Sequence, residues 1–291
     1  LFAHREKRVH PMKDDKILTD WNGLMIAALG KAAQGFDEPE YAEAARRAAD
    51  FILGNMRKPG GRLWHRYRDG QAGVQANLDD YAFLVWGLVE LYEAIFDAKY
   101  LRVALELTRD MLAHFWDADT GGLYLTPDDG ESLLVRKKEI YDGAIPSGNS
   151  VAMLNLLRLG RMTATLDWEE KAEGIGRAFS QNVKQLPSAH TQLMVALDFG
   201  IGPCYEVVIA GSAHAEDTKV MVRALRTRFL PNKVVLLNPA EQDSPETAQL
   251  AAVTRHRPSI EGKATAYVCL NYSCKLPTTD VSKMLELLNA G

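Results

Sequence analysis

The chain has 291 residues, with 34 Lys and Arg against 38 Asp and Glu, a net charge of −4, and 47% apolar side chains. That balance suits a globular protein with a sizeable core. With no Lys/Arg cluster interleaved with aromatics it excludes a nucleic-acid footprint, and no apolar run reaches the roughly 18 residues that cross a bilayer.

The chain starts at Leu1, not Met, so a piece of a longer protein is expected, and no signal peptide is visible. The basic stretch HREKRVHP (4–11) reads as a solvated lead-in. From residue 13 to 199, apolar residues recur every three to four positions, which predicts seven helices over 21–34, 41–56, 81–96, 100–115, 150–163, 168–183 and 189–199. After Gly200 the rhythm changes. Strands are predicted at 205–211, 233–238 and 264–272, with helices at 217–230 and 278–290 between and after them. We therefore expect two domains: helical hairpins over 1–200 and a small α/β subdomain over 201–291, linked by IGP (201–203). Cys204, Cys269 and Cys274 are few, and the last two match neither redox nor zinc spacing. Reduced free thiols in a cytoplasmic protein are the expectation.

The helical part repeats itself. Residues 23–53 match 83–112 at an offset of about 60, Phe36-Asp37 falls on Phe96-Asp97, and the Gly-Gly loops at 60–66 and 121–126 correspond. A third copy covers 152–179. A helix-turn-helix unit of this kind cannot bury its apolar face alone, so the units must stack. The long, strand-like loops favour a closed ring of hairpins, an (α/α) toroid, over a solenoid of shorter repeats. The predicted fold is mainly α, a partial toroid truncated at its N-terminus and followed by a small α/β unit.

Each first helix of a unit opens on a polar cluster. The first holds Asp14, Asp15, Asp20, Trp21 and Asn22; the second holds Asn77, Asp79, Asp80 and Tyr81; the third holds Glu139, Tyr141, Asp142, Ser147, Asn149 and Ser150. Helix capping explains one acid per entrance. It does not explain several acids beside a large aromatic. In a toroid these entrances converge on one mouth, where carboxylates accept sugar hydroxyls and aromatic faces stack on sugar rings. Asp20, Asp79, Asp80 and Asp142 are the candidate acid and base groups. Asp14, Asp15, Trp21, Asn22, Tyr81, Ser147 and Asn149, with Trp64 and His65 from the first inter-unit loop, are the candidate substrate contacts. His65 reads first as an exposed hairpin residue, with sugar contact or acid–base work as the alternative. His4, His10, His214 and His256 lack metal-ligand spacing, Ser147 lacks the G-x-S-x-G setting of a nucleophile, and no metal or cofactor is expected.

Four of these stretches carry a resemblance: DDKILTDWNGLMIAAL (14–29), LDDYAFLVWGLVELYEAIFD (78–97), EIYDGAIPSGNSVAMLNLLRL (139–159) and YVCLNYSCKLPTTD (267–280). Together they resemble the C-terminal half of the spermatogenesis-associated protein 20 family of thioredoxin-domain-containing proteins. The resemblance implies an N-terminal thioredoxin-like domain, absent from this chain, and a helical region similar to six-hairpin glycosidases and N-acylglucosamine 2-epimerases. It carries over no catalytic residue. Two functions stand side by side: a carbohydrate hydrolase or epimerase acting in the ring's cavity, or a non-catalytic binding or scaffold module serving the redox domain. A truncated ring exposes apolar flanks, so self-association is also expected.

Overall fold

The structure is a computed structural model that describes residues 1–239 and 246–288. After a short lead helix α1 (Phe2–Arg5) and strand β1 (Ile17–Leu18), three helical hairpins follow. They are α2 (Thr19–Phe36) with α3 (Pro39–Asn55), α4 (Leu78–Ile95) with α5 (Ala98–Phe115), and α6 (Gly148–Thr163) with α7 (Leu166–Ala178). The predicted helix 168–183 breaks after Ala178 and resumes as α8 (Ser180–Gln185). Helix α9 (Thr191–Ile201) packs on α6 and runs into the predicted linker, leaving only Gly202 and Pro203 outside it. Helices α2, α4, α6 and α9 sit side by side as the inner layer, with α3, α5 and α7 outside. This is the predicted (α/α) toroid arc.

The hairpins share one corner. Each pair of helices is joined by two residues, Asp37-Glu38, Phe96-Asp97 and Ala164-Thr165, and the first of each is left-handed, with φ of 53°, 56° and 58°. The left-handed residue ends the first helix and lets the chain reverse at once. Pro39 then opens α3, where its missing N–H is no loss. Counted by these corners, the first two units match at an offset of 59, one less than the Phe-Asp pairs suggest. Asp20 and Asp79 are therefore the equivalent residues, each second in its helix. The Gly-Gly loops also correspond: each lies beside an antiparallel bridge, Arg57 to Leu63 and Trp116 to Leu123.

Helices α2 and α4 meet backbone to backbone. A Cβ on Gly23 would lie 2.5 Å from the Leu84 nitrogen, and one on Gly87 would lie 2.7 Å from the Gly23 oxygen. Only hydrogen fits at either place, so the two inner helices approach closer than side chains ordinarily allow.

Strands β2 (Trp64–Arg68) and β3 (Gln71–Gln75) form a hairpin, and β1 pairs with β2, Ile17 opposite Tyr67. The C-terminal sheet has the order β5 (Lys233–Pro239), β4 (Tyr205–Gly211), β6 (Thr265–Leu270), β7 (Ser273–Cys274), with β4 and β5 parallel and the rest antiparallel. The helices α10 (Glu216–Arg226), α11 (Glu246–Leu250) and α12 (Val281–Leu288) accompany it. The last two residues of the predicted helix 278–290 lie outside the described residues. Both sheet faces are covered, which is why YEVVIAG reads as an unbroken apolar run. Val208, Val234 and Leu236 join the core of the helical arc, while Val207, Ile209, Val235 and Leu237 pack with residues of α10 and α12. Two polar links fix the sheet to the arc: Arg161 pairs with Glu206 at 2.9 Å, and Glu93 accepts the Val235 N–H at 3.1 Å.

The predicted strand 264–272 ends at Leu270, where Asn271 and Tyr272 turn with positive φ and lead into β7. Cys269 and Cys274 then stand opposite each other and are joined in a disulfide, which corrects the expectation of free thiols. The four intervening residues are a hairpin turn, a geometry that spacing alone does not reveal. Cys204 is free and buried, and burial pushes its thiol up to about 12. No helix among the described residues is long and apolar enough to cross a membrane.

Candidate functional site

The first turns of α2 and α4 and strand β2 bring Asp20, Asp79, Asp80 and His65 together. Asp80 is the centre of this cluster and is 1% exposed. It closes a capping box on α4, in which Asn77 caps the helix and the Asp80 Oδ2 accepts the Asn77 N–H at 2.8 Å. Its Oδ1 accepts the Asp20 backbone N–H at 3.0 Å, tying the start of α2 to that of α4. The His65 ring Nδ1 lies 2.9 and 3.0 Å from the two carboxylate oxygens. That hydrogen bond to Asp80 raises the His65 pKa against the opposing effect of burial, with further help from the Asp80, Asp20 and Asp79 charges. Strand β2 is held over α2 by Thr19, whose hydroxyl donates to the Trp64 carbonyl at 2.6 Å.

The equivalent pair behaves alike. Burial, then the Asp80 charge, raises the Asp20 carboxyl, although its Oδ1 accepts the Trp21 N–H at 2.8 Å. Burial, then the charges of Asp80 and Asp20, pushes Asp79 up to about 6. Gly148 at the start of α6 lies so close that a Cβ there would sit 2.3 Å from the Asp79 Oδ1. A carboxyl near 6 exchanges its proton readily at neutral pH, as an acid or base catalyst must.

The remaining sequence-predicted residues lie elsewhere or are engaged otherwise. Asp142 accepts the Ser147, Gln192 and Leu193 N–H groups at 2.9, 2.8 and 3.2 Å, capping α9 from outside its own helix. Ser147 is the N-cap of α6 and accepts the Ser150 N–H at 3.1 Å. Asn149 is fully buried and bonds both backbone groups of Leu123 and the Glu139 carbonyl. Tyr81 is buried, and its hydroxyl accepts from the Leu63 N–H and the Arg62 Nε. Asn22 donates back to the Leu18 carbonyl. Asp14 pairs with Lys16, whose hydrogen bond lowers its pKa, and Asp15 pairs with Arg68. Trp21 stands 60% exposed beside Asp20, and one face of Trp64 is covered by Lys58.

One turn beyond Asp20 a hollow opens on the inner side of the arc. It holds about 410 Å³ and is lined by Leu24, Ala27, Lys31, Trp86, the loop 142–146 and Gln192. A second cavity of about 390 Å³ lies farther along, sharing Lys31, Trp86 and Gln192. There Arg158 bridges Glu90 and Glu93, and Lys31 meets Glu90 at 3.0 Å, all in the span between α2, α4 and α6. Burial works against the ionised Glu90, but Arg158 and Lys31 hold it down at about 2, whereas burial raises Glu93. Sequence reasoning missed these groups. Their signal was present: Glu90, Glu93 and Arg158 are charges embedded in otherwise apolar helices.

Asp20, His65 and Asp80 could present one ligand atom each to a metal ion within 4.8 Å of one another, as could His114, Asp128 and Asp129 at the outer loops. In the first trio Asp80 already accepts three donors, which leaves few lone pairs for a cation. In the second, Arg62 pairs with Asp129 and occupies its oxygens.

No family model matches the chain. Human spermatogenesis-associated protein 20 is 35% identical over 99% of it, and the mouse protein 34% over the same share. An uncharacterised Caenorhabditis elegans protein is 31% identical, again over 99%. Over almost its whole length this chain is homologous to spermatogenesis-associated protein 20. It spans 38% of the length of the human and mouse relatives. Among solved structures, cellobiose 2-epimerase from Bacillus thermoamylovorans superposes with a TM-score of 0.55 at 13% identity, covering 75% of this chain and 62% of the enzyme. A GH76 α-mannanase from Bacteroides thetaiotaomicron gives 0.52 at 16%, covering 75% and 59%. At such identities the likeness is one of fold alone, the (α/α) toroid.

Proposed function

We propose that the hollow bounded by α2, α4, the loop 142–146 and the start of α9 binds a carbohydrate, and that its acidic mouth processes it by general acid–base chemistry of the hydrolase or epimerase kind. The observation that carries this reading is the meeting of Asp20, Asp79, Asp80 and His65 at one end of two equivalent inner helices. Asp79, with its carboxyl near 6, is the proton donor and acceptor. Asp20 is its partner carboxyl, and Asp80 orients His65. Exposed Trp21 offers an indole face at the mouth, and Trp86 offers another inside the hollow. The fold shared with a cellobiose 2-epimerase and an α-mannanase lends support. Residues 1–200 carry the site in this reading, and 201–291 brace it.

A second reading, a non-catalytic binding module serving a thioredoxin-like domain of the longer protein, is favoured by one observation. Asp80 and Asp142, two of the four candidate acids, are saturated by N–H donors. One experiment separates the two. The chain is offered neutral disaccharides and manno-oligosaccharides, with turnover and binding measured for wild type and Asp79→Asn. The catalytic reading expects turnover that falls about 100-fold or more in Asp79→Asn while binding persists. Binding without turnover in the wild type supports the module, and no binding at all refutes both.

A further inference from the structure

We propose that the second cavity is an anion site, taking a phosphate or carboxylate carried by a small polar molecule. It stands beside the sugar reading and does not require the mouth to be catalytic. Lys31 and Glu90 are equivalent residues of the repeat, each eleven positions beyond Asp20 and Asp79. At 1.5 Å per residue the cavity lies about 16 Å along the inner helices from the acidic mouth. It is a separate place with the opposite charge.

The charge balance points to the ligand. Five cations line the cavity, Lys31, Arg158, Arg226, Arg228 and Lys233, against two carboxylates, Glu90 and Glu93. Both carboxylates are used: Arg158 bridges them and Lys31 adds to Glu90. Arg226, Arg228 and Lys233 have no carboxylate within ion-pairing distance among the described residues. Arg226 spends one arm of its guanidinium on the Glu93 and Ala94 carbonyls, which leaves its other N–H groups to point elsewhere. Lys233 donates to the Leu230 carbonyl at 3.1 Å and keeps two more hydrogens. Burial lowers the pKa of both, an effect that the charge of nearby Glu93 offsets only in part because neither cation is in ion-pair contact with it. The Gln192 Nε2, a buried donor with no partner among the described residues, belongs to a side chain on the same wall. Buried donors are ordinarily satisfied, so a cavity that gathers surplus N–H groups and surplus positive charge fits an acceptor-rich anion.

The test uses the full chain in a phosphate-free buffer of low salt. Titration calorimetry follows inorganic phosphate, glucose 6-phosphate, glucuronate and neutral glucose, with Trp86 fluorescence as a second readout at the cavity. The expected result is saturable binding of the anions, weakened by added salt. Lys233→Gln and the exposed-site variant Arg228→Gln each weaken it by about tenfold, with melting temperatures at the wild-type value. Phosphate against glucuronate shows which anion is preferred, and glucose 6-phosphate against phosphate shows whether a sugar body adds affinity. Asp79→Asn leaves anion binding unchanged, so failure of the mouth and failure of this site are told apart. No saturable anion binding, equal affinity for glucose, or unchanged affinity in both variants overturns the proposal.

Discussion

Replacing Asp79 by Asn separates a working acid from a structural one. The folded carboxyl sits at about 6 because it is buried beside Asp80 and Asp20, against an ordinary value of 3.8. Between those two values the folded chain holds a proton that the unfolded chain has released. Stability is therefore complete below the unfolded value and is lost as pH rises through the folded one. At about 1.4 kcal/mol for each pH unit, the ionised Asp79 costs the fold up to about 3 kcal/mol at pH 8. Asparagine keeps the shape but carries no charge. Urea unfolding of wild type and Asp79→Asn is measured from pH 4 to pH 8. The variant should be more stable at pH 8 by up to about 3 kcal/mol, with the gain shrinking as pH falls through 6 and vanishing near 4. A variant less stable than wild type at pH 8, or a difference independent of pH, refutes the reasoning. A more stable protein that has lost turnover marks the acid as one retained for chemistry, since active sites hold groups at the expense of stability.

Three further outcomes are expected. Gly23→Ala places a methyl 2.5 Å from the Leu84 nitrogen, and urea unfolding should show a loss of about 1–3 kcal/mol or more, while Gly35→Ala, where no neighbour lies within 4 Å, should be tolerated. Arg158→Met removes the partner of two buried carboxylates and should cost about 3–5 kcal/mol at pH 7, with part of the loss regained on acidification as Glu90 and Glu93 take up protons. The groove between α6, α7 and α9 holds about 850 Å³ and is flanked by Leu166 and Ile201, 61% and 83% exposed, so sedimentation of this chain should show concentration-dependent self-association; a clean monomer throughout sinks that expectation.

The arc was legible because helical periodicity and duplication are both local signals. Leu88, Leu91 and Tyr92 recur at helix spacing on α4, and the same pattern lies 59 residues earlier on α2. The corners were half legible. Phe36-Asp37 and Phe96-Asp97 look alike as letters, but the left-handed residues are Asp37 and Phe96, so backbone conformation shifts the match by one. The break at Phe179 was invisible, since the apolar pattern continues into α8. The mouth was partly legible: acids at helix starts are easily seen, yet which are spent as caps depends on partners far along the chain. Asp142 caps α9 fifty residues away, and Asp80 receives the Asp20 amide from sixty residues before. Of the basic cavity only the single charges within apolar helices were legible, not their meeting. Arg158 meets Glu90 only because α4 and α6 lie side by side, and Lys233 reaches the cavity from the far sheet. Pattern reading finds faces of helices, not the charges that two faces enclose.

The three similar corners have a consequence for how such a chain can change length. Every hairpin reverses over two residues with a similar backbone turn, a left-handed residue followed by an extended one, so each outer helix leaves its inner helix in a similar way. An added or deleted residue within a helix would swing its apolar stripe by roughly 100°. A whole unit, corner included, preserves the stripe. Growth or loss by modules, with variation confined to the Gly-Gly loops, is the route the architecture leaves open.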